Sequence, residues 1–149
     1  DALVLAGCDI IRANILDRTR FGALNCHPGM IPFYRGCSNV EWSILNDDPV
    51  GATVHLCTTK IDHGPVISWE PMPVYRSDKY SDVRARMVGH QTKVMLEGAR
   101  RFLAQPTGWS SPEAKGKYYP VIGPAELSQV VAKIDQGTYR HTLQGTHVV

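Results

Sequence analysis

The chain begins with an unbroken apolar run, Ala2–Ala6, which ends at Gly7. A strand with one face in water alternates apolar and polar side chains, whereas a strand covered on both faces is apolar throughout. The run therefore predicts an interior strand of a parallel sheet. This is the pattern of an α/β fold with an open, parallel-rich sheet.

The segment after this run predicts a strand–helix–strand unit. Residues 14–20 have the pattern of a short helix with Ile15 and Leu16 inward, and Gly22–Asn25 has the pattern of a second strand. Two parallel strands joined through a helix predict a right-handed crossover.

The rest of the chain alternates loops, strands and helices. A loop of fixed shape is expected over 26–37 because it holds two prolines and two glycines. The hydrophobic periodicity then predicts the following elements: a helix capped by Ser38 and Glu41, strands over 53–57 and 65–74, a long amphipathic helix between Ser77 and Pro106, an irregular segment over 109–119, a helix over 124–136 and a tail over 138–149.

Composition limits the class of protein. The 149 residues carry 16 Lys and Arg against 14 Asp and Glu, so the net charge of +2 gives no reason to expect a nucleic acid or an anionic membrane as partner. The apolar runs are far shorter than the roughly 20 residues of a membrane helix. We expect one soluble, cytoplasmic domain.

The four cysteines fit neither a disulfide framework nor a zinc ribbon because no C-x-x-C pair occurs. Buried thiols in a reducing compartment are the simpler interpretation, and we expect no metal. A metal site assembled from separate loops is the alternative, with these candidate ligands: Cys26, His27, Cys37, His55, Cys57 and His63.

Polar residues concentrate in two segments that follow predicted strands, 25–28 and 58–65. Asn25 and His27 share one face of a strand because side chains alternate. An amide, an imidazole and a nearby Asp62 carboxylate suit addition to a carbonyl, with Asn25 stabilising the oxyanion, His27 moving the proton and Asp62 tuning the imidazole. Taken singly, each residue has a simpler alternative: a turn cap, a core histidine and a turn residue.

Four motifs together carry a resemblance to the folate-dependent formyltransferases. They occur in that family's order and approximate spacing: Asn25-x-His27-Pro28 with Pro32, then Arg35-Gly36, then Gly51-Ala52-Thr53-Val54-His55, then Asp62-x-Gly64-Pro65-Val66-Ile67. The resemblance extends to about Phe102. It implies that Asn25, His27 and Asp62 are catalytic and that 10-formyltetrahydrofolate is the co-substrate.

The resemblance also implies a pterin site between two loops. Its expected folate-binding residues are Ile10, Ile11, Arg12, Thr58, Thr59, Lys60 and Ile61. His55 stands where the family often has His, and either packing or contact with the site would fit it.

In the family, this segment is the second half of a doubly wound, Rossmann-like domain. We therefore expect a catalytic half-domain over 1–105 and a C-terminal extension with a helix and a tail over 106–149. We also expect the Ala2–Ala6 strand to pair with a second copy, to swap elements with it, to be covered by the tail, or to meet a complementing N-terminal half.

The acceptor is expected to be a small-molecule amine. Pro28 and the Gly64-Pro65 pair resemble the glycinamide ribonucleotide enzymes, although Gln91 stands where those enzymes carry Glu. The segments 35–42 and 116–119 resemble amino-sugar and tRNA-acting members. Hydrolysis of formyltetrahydrofolate and a non-catalytic folate-binding module are the alternative functions.

Overall fold

The computed structural model describes residues 1–5 and 11–145. Its strands and helices, in chain order, are β1 (Leu3–Val4), α1 (Ala13–Leu16), β2 (Ala23–His27), β3 (Tyr34–Gly36), α2 (Asn39–Leu45), β4 (Gly51–Leu56), β5 (Val66–Pro71), β6 (Val74–Tyr75), α3 (Tyr80–Ala104), β7 (Lys117–Tyr119), α4 (Pro124–Asp135) and β8 (Thr142–Leu143).

The main sheet is open and has the strand order β1-β2-β4-β5. β1 and β2 are parallel, as the apolar run and its following helix predict. β4 is antiparallel to both of its neighbours, β2 and β5. Two small parallel pairs, β3 with β7 and β6 with β8, complete the described strands. The α/β class with an open sheet is confirmed, and three of the five strand pairings among the described residues are parallel, although two of the three in the main sheet are antiparallel.

The long helix α3 packs across this sheet. Its buried positions, Val83, Met87, Val94, Gly98 and Phe102, recur at helical spacing and form the apolar side of the helix. The helix begins after Lys79 rather than at Ser77, because the Asp82 carboxylate accepts the Lys79 backbone N–H at 2.8 Å.

The C-terminal extension is built onto the preceding segment. β7 pairs with β3, although this region is expected to be irregular. Val130, Ile134 and Tyr139 belong to the same hydrophobic core as the residues of the sheet and of α3. The extension therefore shares the core that supports the main sheet.

Two local expectations are wrong. α1 ends at Leu16, and Ile15 is 44% exposed instead of inward, because the helix buries none of its residues. Ser38 has a left-handed backbone and makes no side-chain cap, since its Oγ accepts the Ile122 N–H. The tail, for which the sequence predicts no element, contributes β8, which pairs with β6.

β1 lies at the edge of the described sheet and not, as its apolar sequence predicts, in its interior, because β2 is its one partner there. Its outer edge is uncovered within the described residues. Val4 is 51% exposed, and a groove of about 400 Å³ runs beside it, lined on α3 by Val88, Met95 and Leu96 among others. The described part of the tail lies on β6, so it does not cover this edge. Ala6 lies outside the described residues.

The packing of α3 predicts opposite effects for two alanine substitutions. A Cβ at Gly98 would lie 2.7 Å from Val54, whereas a Cβ at Gly89 would meet nothing within 4 Å. We expect G98A to lower the free energy of unfolding by about 1–3 kcal/mol through overpacking. G89A should raise it by about 0.5–1 kcal/mol through helix propensity. Urea denaturation measures both changes in the free energy of unfolding. Equal stabilisation by G98A and G89A would show that α3 is not tightly packed against β4 at Gly98.

The uncovered edge predicts self-association of this chain through β1 and α3. We expect sedimentation to show dimers that Leu96→Lys disrupts, because a charge would enter an apolar interface. Val121→Lys is the matched control, since Val121 is 73% exposed and does not line the groove.

Amide exchange provides a second readout of the same edge. The Leu5 N–H already donates to Leu24 at 2.8 Å and Leu3 donates to Gly22, so Val4 is the amide that faces the open edge. A strict monomer with an unprotected Val4 amide would contradict association through β1.

Candidate active site

Asn25 and His55 face each other across β2 and β4. They are directly opposite in the antiparallel register, so their side chains share one face of the sheet. Nδ2 of Asn25 lies 3.2 Å from Nε2 of His55. Nδ1 of His55 lies 3.1 Å from the Leu56 carbonyl oxygen, so in the neutral tautomer protonated at Nδ1 the Nε2 atom accepts from Asn25. The Asn25 amide keeps a second N–H for another acceptor.

Asp62 reaches this face from the connection between β4 and β5. Its backbone is left-handed, with φ of 48°. Two residues later, a side chain at Gly64 would place Cβ 1.7 Å from the Leu56 carbonyl oxygen, so the connection can fold back onto β4 only with glycine there. The Asp62 carboxylate accepts the Gly36 N–H at 2.9 Å, which fixes it against β3.

The Asp62 carboxylate lies between two imidazoles. Its Oδ2 is 3.4 Å from Nδ1 of His27, and its Oδ1 is 3.6 Å from Nε2 of His55. Burial acts to raise the pKa of Asp62, but both histidines and the Gly36 N–H oppose it, and the net pKa is below the usual range. The site therefore holds a fixed negative charge.

His27 lies behind Asp62 in the protein interior. It is 4% exposed, and its Nε2 donates to the Tyr34 carbonyl oxygen at 2.8 Å. The Asn39 amide nitrogen lies 3.0 Å from the same atom. Burial lowers the pKa of His27, while the negative charge of Asp62 opposes this shift. The structure thus brings the predicted catalytic trio together, with His27 on the inner side of Asp62.

A cavity of about 160 Å³ opens beside these groups. Asn25, His55 and Asp62 line it. The expected folate-binding residues Ile11, Thr58, Thr59, Lys60 and Ile61 also line it. His27 does not line it, and neither does Arg12, which is exposed at the start of α1. Ile10 lies outside the described residues, so its role stays a prediction.

The sequence leaves His55 open between packing and contact with the site, and it gives no role to Asn39. His55 lines the cavity and contacts both Asn25 and Asp62, and Asn39 contacts His27. The alternation of Thr53, His55 and Cys57 does place His55 on one face of β4. Only the antiparallel pairing with β2 makes that face the same as the face of Asn25.

The structure bears on two further expectations from the sequence, the burial of the cysteine thiols and the alternative of a metal site. Burial raises the pKa of Cys26 to about 12, whereas Cys37 is exposed instead of buried. Among residues 1–5 and 11–145, no three His, Cys, Asp or Glu side chains form a group suited to hold a metal ion. In the same part of the chain, no helix combines the length and the apolar character of a membrane span.

Comparison with known proteins decides the family. A sequence model described as formyl transferase matches residues 1–98. The chain belongs to the formyl transferase family. Methionyl-tRNA formyltransferase from Deinococcus radiodurans is 29% identical over 122 residues, covering 81% of this chain and 38% of that protein. The enzyme of the same description from Herpetosiphon aurantiacus is 35% identical over 104 residues, covering 69% of this chain and 31% of its own length.

Solved structures of formyltransferases share the fold. One from Anoxybacillus kamchatkensis, in complex with UDP-4,6-dideoxy-4-formamido-L-AltNAc and tetrahydrofolate, has a TM-score of 0.66 at 25% identity, covering 80% of this chain and 62% of that chain. A sugar N-formyltransferase from Shewanella has a TM-score of 0.69 at 21% identity, covering 97% and 64%. The chain spans less than two fifths of the length of either methionyl-tRNA enzyme compared above.

Proposed function

We propose that the cavity binds 10-formyltetrahydrofolate and that the site transfers its formyl group to an amine. The observation that carries this proposal is the cluster of Asn25, His55 and Asp62 on one cavity wall, with His27 directly behind Asp62. Family membership supports formyl transfer in general. The folate expectation is supported by the tetrahydrofolate in the Anoxybacillus enzyme.

The proposed step is attack of an amine nitrogen on the formyl carbon. The new C–N bond forms while the formyl oxygen becomes an oxyanion, which accepts the free N–H of Asn25. Collapse of this intermediate breaks the bond between the formyl carbon and the folate N10. The amine loses one proton and N10 gains one, so the step is balanced without a metal or a redox partner.

The two histidines and Asp62 have different roles in the proton transfer. Nε2 of His55 is an acceptor on the cavity wall and can take the amine proton. Asp62 lies 3.6 Å from that nitrogen and stabilises the resulting imidazolium. His27, on the other side of the same carboxylate, supports the charge and the orientation of Asp62, and it completes the predicted trio.

The proposed acceptor is a small-molecule amine of the nucleotide-linked amino-sugar or glycinamide ribonucleotide type. The UDP-linked formamido sugar in the Anoxybacillus enzyme supports the first of these. The methionyl-tRNA relatives make a tRNA-borne amine the competing acceptor. We further propose cytoplasmic location, and either self-association or a complementing N-terminal half to complete the acceptor side.

The direct test incubates the chain with 10-formyltetrahydrofolate and follows release of tetrahydrofolate. Separate arms contain no amine, a nucleotide-linked amino sugar, glycinamide ribonucleotide or methionyl-tRNA. Release that depends on a small-molecule amine supports the proposal. Equal release without amine indicates a hydrolase, and binding without release indicates a folate-binding module.

Asn25→Ala should lower turnover by about 10²–10³-fold, because one oxyanion donor is lost. Folate affinity should change little, since the donor acts mainly on the intermediate. Gln129→Ala is the control, because it removes an exposed carboxamide on α4. Turnover of N25A near that of the unmodified chain would remove Asn25 from the mechanism.

Asp62→Asn should lower the pKa of the His27 imidazole. The negative charge of Asp62 favours the protonated form of His27, so without it the ring loses its proton at a lower pH. A pH titration of the His27 ring resonances measures this shift, and turnover, which the proposed step makes dependent on the Asp62 charge, should fall in the same variant. Asp17→Asn, which changes an exposed carboxylate, should leave both in place. An unmoved His27 titration with an unchanged rate in D62N would make Asp62 a turn residue only.

A further inference from the structure

A second cavity, of about 300 Å³, lies next to the Asp62 segment and is separate from the folate cavity. It is lined by β3, by the residue after Asp62 and by the irregular segment before β7. Its titratable lining residues are Arg35, His63, Lys115 and Glu113. Nothing in the proposed formyl transfer uses these side chains.

The Arg35 guanidinium has donors that the protein leaves unused. One terminal nitrogen, Nη2, donates to the Gly116 carbonyl oxygen at 3.2 Å. The Nε atom is buried and has no hydrogen-bond partner among the described residues. A guanidinium carries five N–H donors in a planar fork that matches carboxylate and phosphate groups. A buried, unpaired donor of this kind is costly unless a ligand accepts it.

The charge around the cavity favours an anion. Arg35 and Lys115 are cationic, His63 offers a ring N–H donor, and Glu113 is the one acidic residue among the described lining. Lys115, His63 and Glu113 are exposed, so they can rearrange around a ligand. Arg35 is fixed more firmly through its bond to Gly116.

The cavity wall is also held close to the catalytic carboxylate. Gly36 donates its N–H to Asp62, and Gly36 directly follows Arg35. His63 directly follows Asp62, and consecutive Cα atoms are only about 3.8 Å apart. On the opposite wall, a Cβ at Gly116 would lie 1.5 Å from the Pro32 carbonyl oxygen, so the two backbones are in direct contact. A group bound here therefore lies against two segments that meet at Asp62: His63 follows Asp62 in the chain, and Arg35 precedes the Gly36 that donates to it.

We propose that this cavity binds an oxyanion, a phosphate or a carboxylate, carried by one of the two reactants of the formyl transfer, and thereby orients that reactant at Asp62. The inference rests on the proposed function for the identity of the reactants. Two sources have this chemistry: the phosphate of a phosphorylated amine acceptor and the glutamate carboxylates of the folate. The oxyanion accepts hydrogen bonds from the guanidinium of Arg35, and the exposed side chains of Lys115 and His63 close around it.

The first test titrates the chain with sodium pyrophosphate and follows binding by calorimetry and by backbone amide shifts. Lys115→Gln and His63→Gln should each weaken binding about tenfold, the effect of losing one charge-assisted contact. Lys115→Arg should keep the affinity, because it keeps the charge. Lys93→Gln, which removes an exposed cation from α3, should have no effect.

Two results of this titration would overturn the proposal. One is the absence of saturable binding with shifts at residues 35, 63 and 115. The other is equal weakening by Lys93→Gln and Lys115→Gln, which would indicate diffuse attraction to a weakly cationic surface.

The second test identifies the source of the oxyanion. Affinities of the unmodified chain and of Lys115→Gln are compared for 10-formyltetrahydropteroate, which lacks glutamate, and for the mono- and triglutamyl forms of 10-formyltetrahydrofolate. A glutamate-dependent gain that is lost in Lys115→Gln assigns the folate tail. No such gain, with a raised KM for a phosphorylated amine in Lys115→Gln, assigns the acceptor. If neither comparison shows a difference between the unmodified chain and Lys115→Gln, the proposal is contradicted.

The two proposals fail in different ways. If pyrophosphate binds in a way that depends on Lys115 but the chain transfers no formyl group, the oxyanion site is supported and the proposed function is rejected. Formyl transfer that is unchanged in Lys115→Gln and His63→Gln, with no pyrophosphate binding, would remove only the oxyanion site.

Discussion

The carboxylate of Asp62 is the point on which the site depends. It accepts the Gly36 N–H at 2.9 Å and lies within 3.6 Å of two imidazoles. This single group joins β2, β3, β4 and the connection after β4. Its ionised form is favoured by those neighbours in spite of burial. Loss of this charge would disturb the orientation of both histidines and the protonation of His27.

The antiparallel pairing of β2 and β4 provides the surface on which this charge acts. It sets Asn25 opposite His55, so a hydrogen-bond donor and a proton acceptor share one wall of the cavity. His27, buried behind Asp62, is both a packed core histidine and a member of the cluster. The two interpretations of His27 from the sequence are therefore compatible. A packing role alone would not require a carboxylate 3.4 Å away.

Much of this arrangement is predictable, and the exceptions have physical causes. The existence of β1 and the periodicity of α3 follow from local pattern, whereas the catalytic grouping of Asn25, His27 and Asp62 rests on the resemblance of four motifs to the family. The interior position predicted for β1 is not found, because β2 is its one partner among the described strands. The direction of β4 does not, because alternation reports the faces of a strand and not its orientation. β7 was missed because its Lys-Tyr-Tyr sequence becomes a strand only by pairing with β3. The inward position of Ile15 was wrong because α1 has no packing partner for it.

The most direct test of the account is whether a folate occupies the cavity beside Asn25 and His55. The imidazole resonances of isotopically labelled chain would be followed during titration with 5-formyltetrahydrofolate, a stable formyl folate. The account predicts saturable shifts at His55 and at the backbone amides of residues 58–62. His90, which contacts the Glu70 carbonyl oxygen outside the cavity, should stay in place. A titration in which the resonances of His55 and of residues 58–62 do not move would contradict the account.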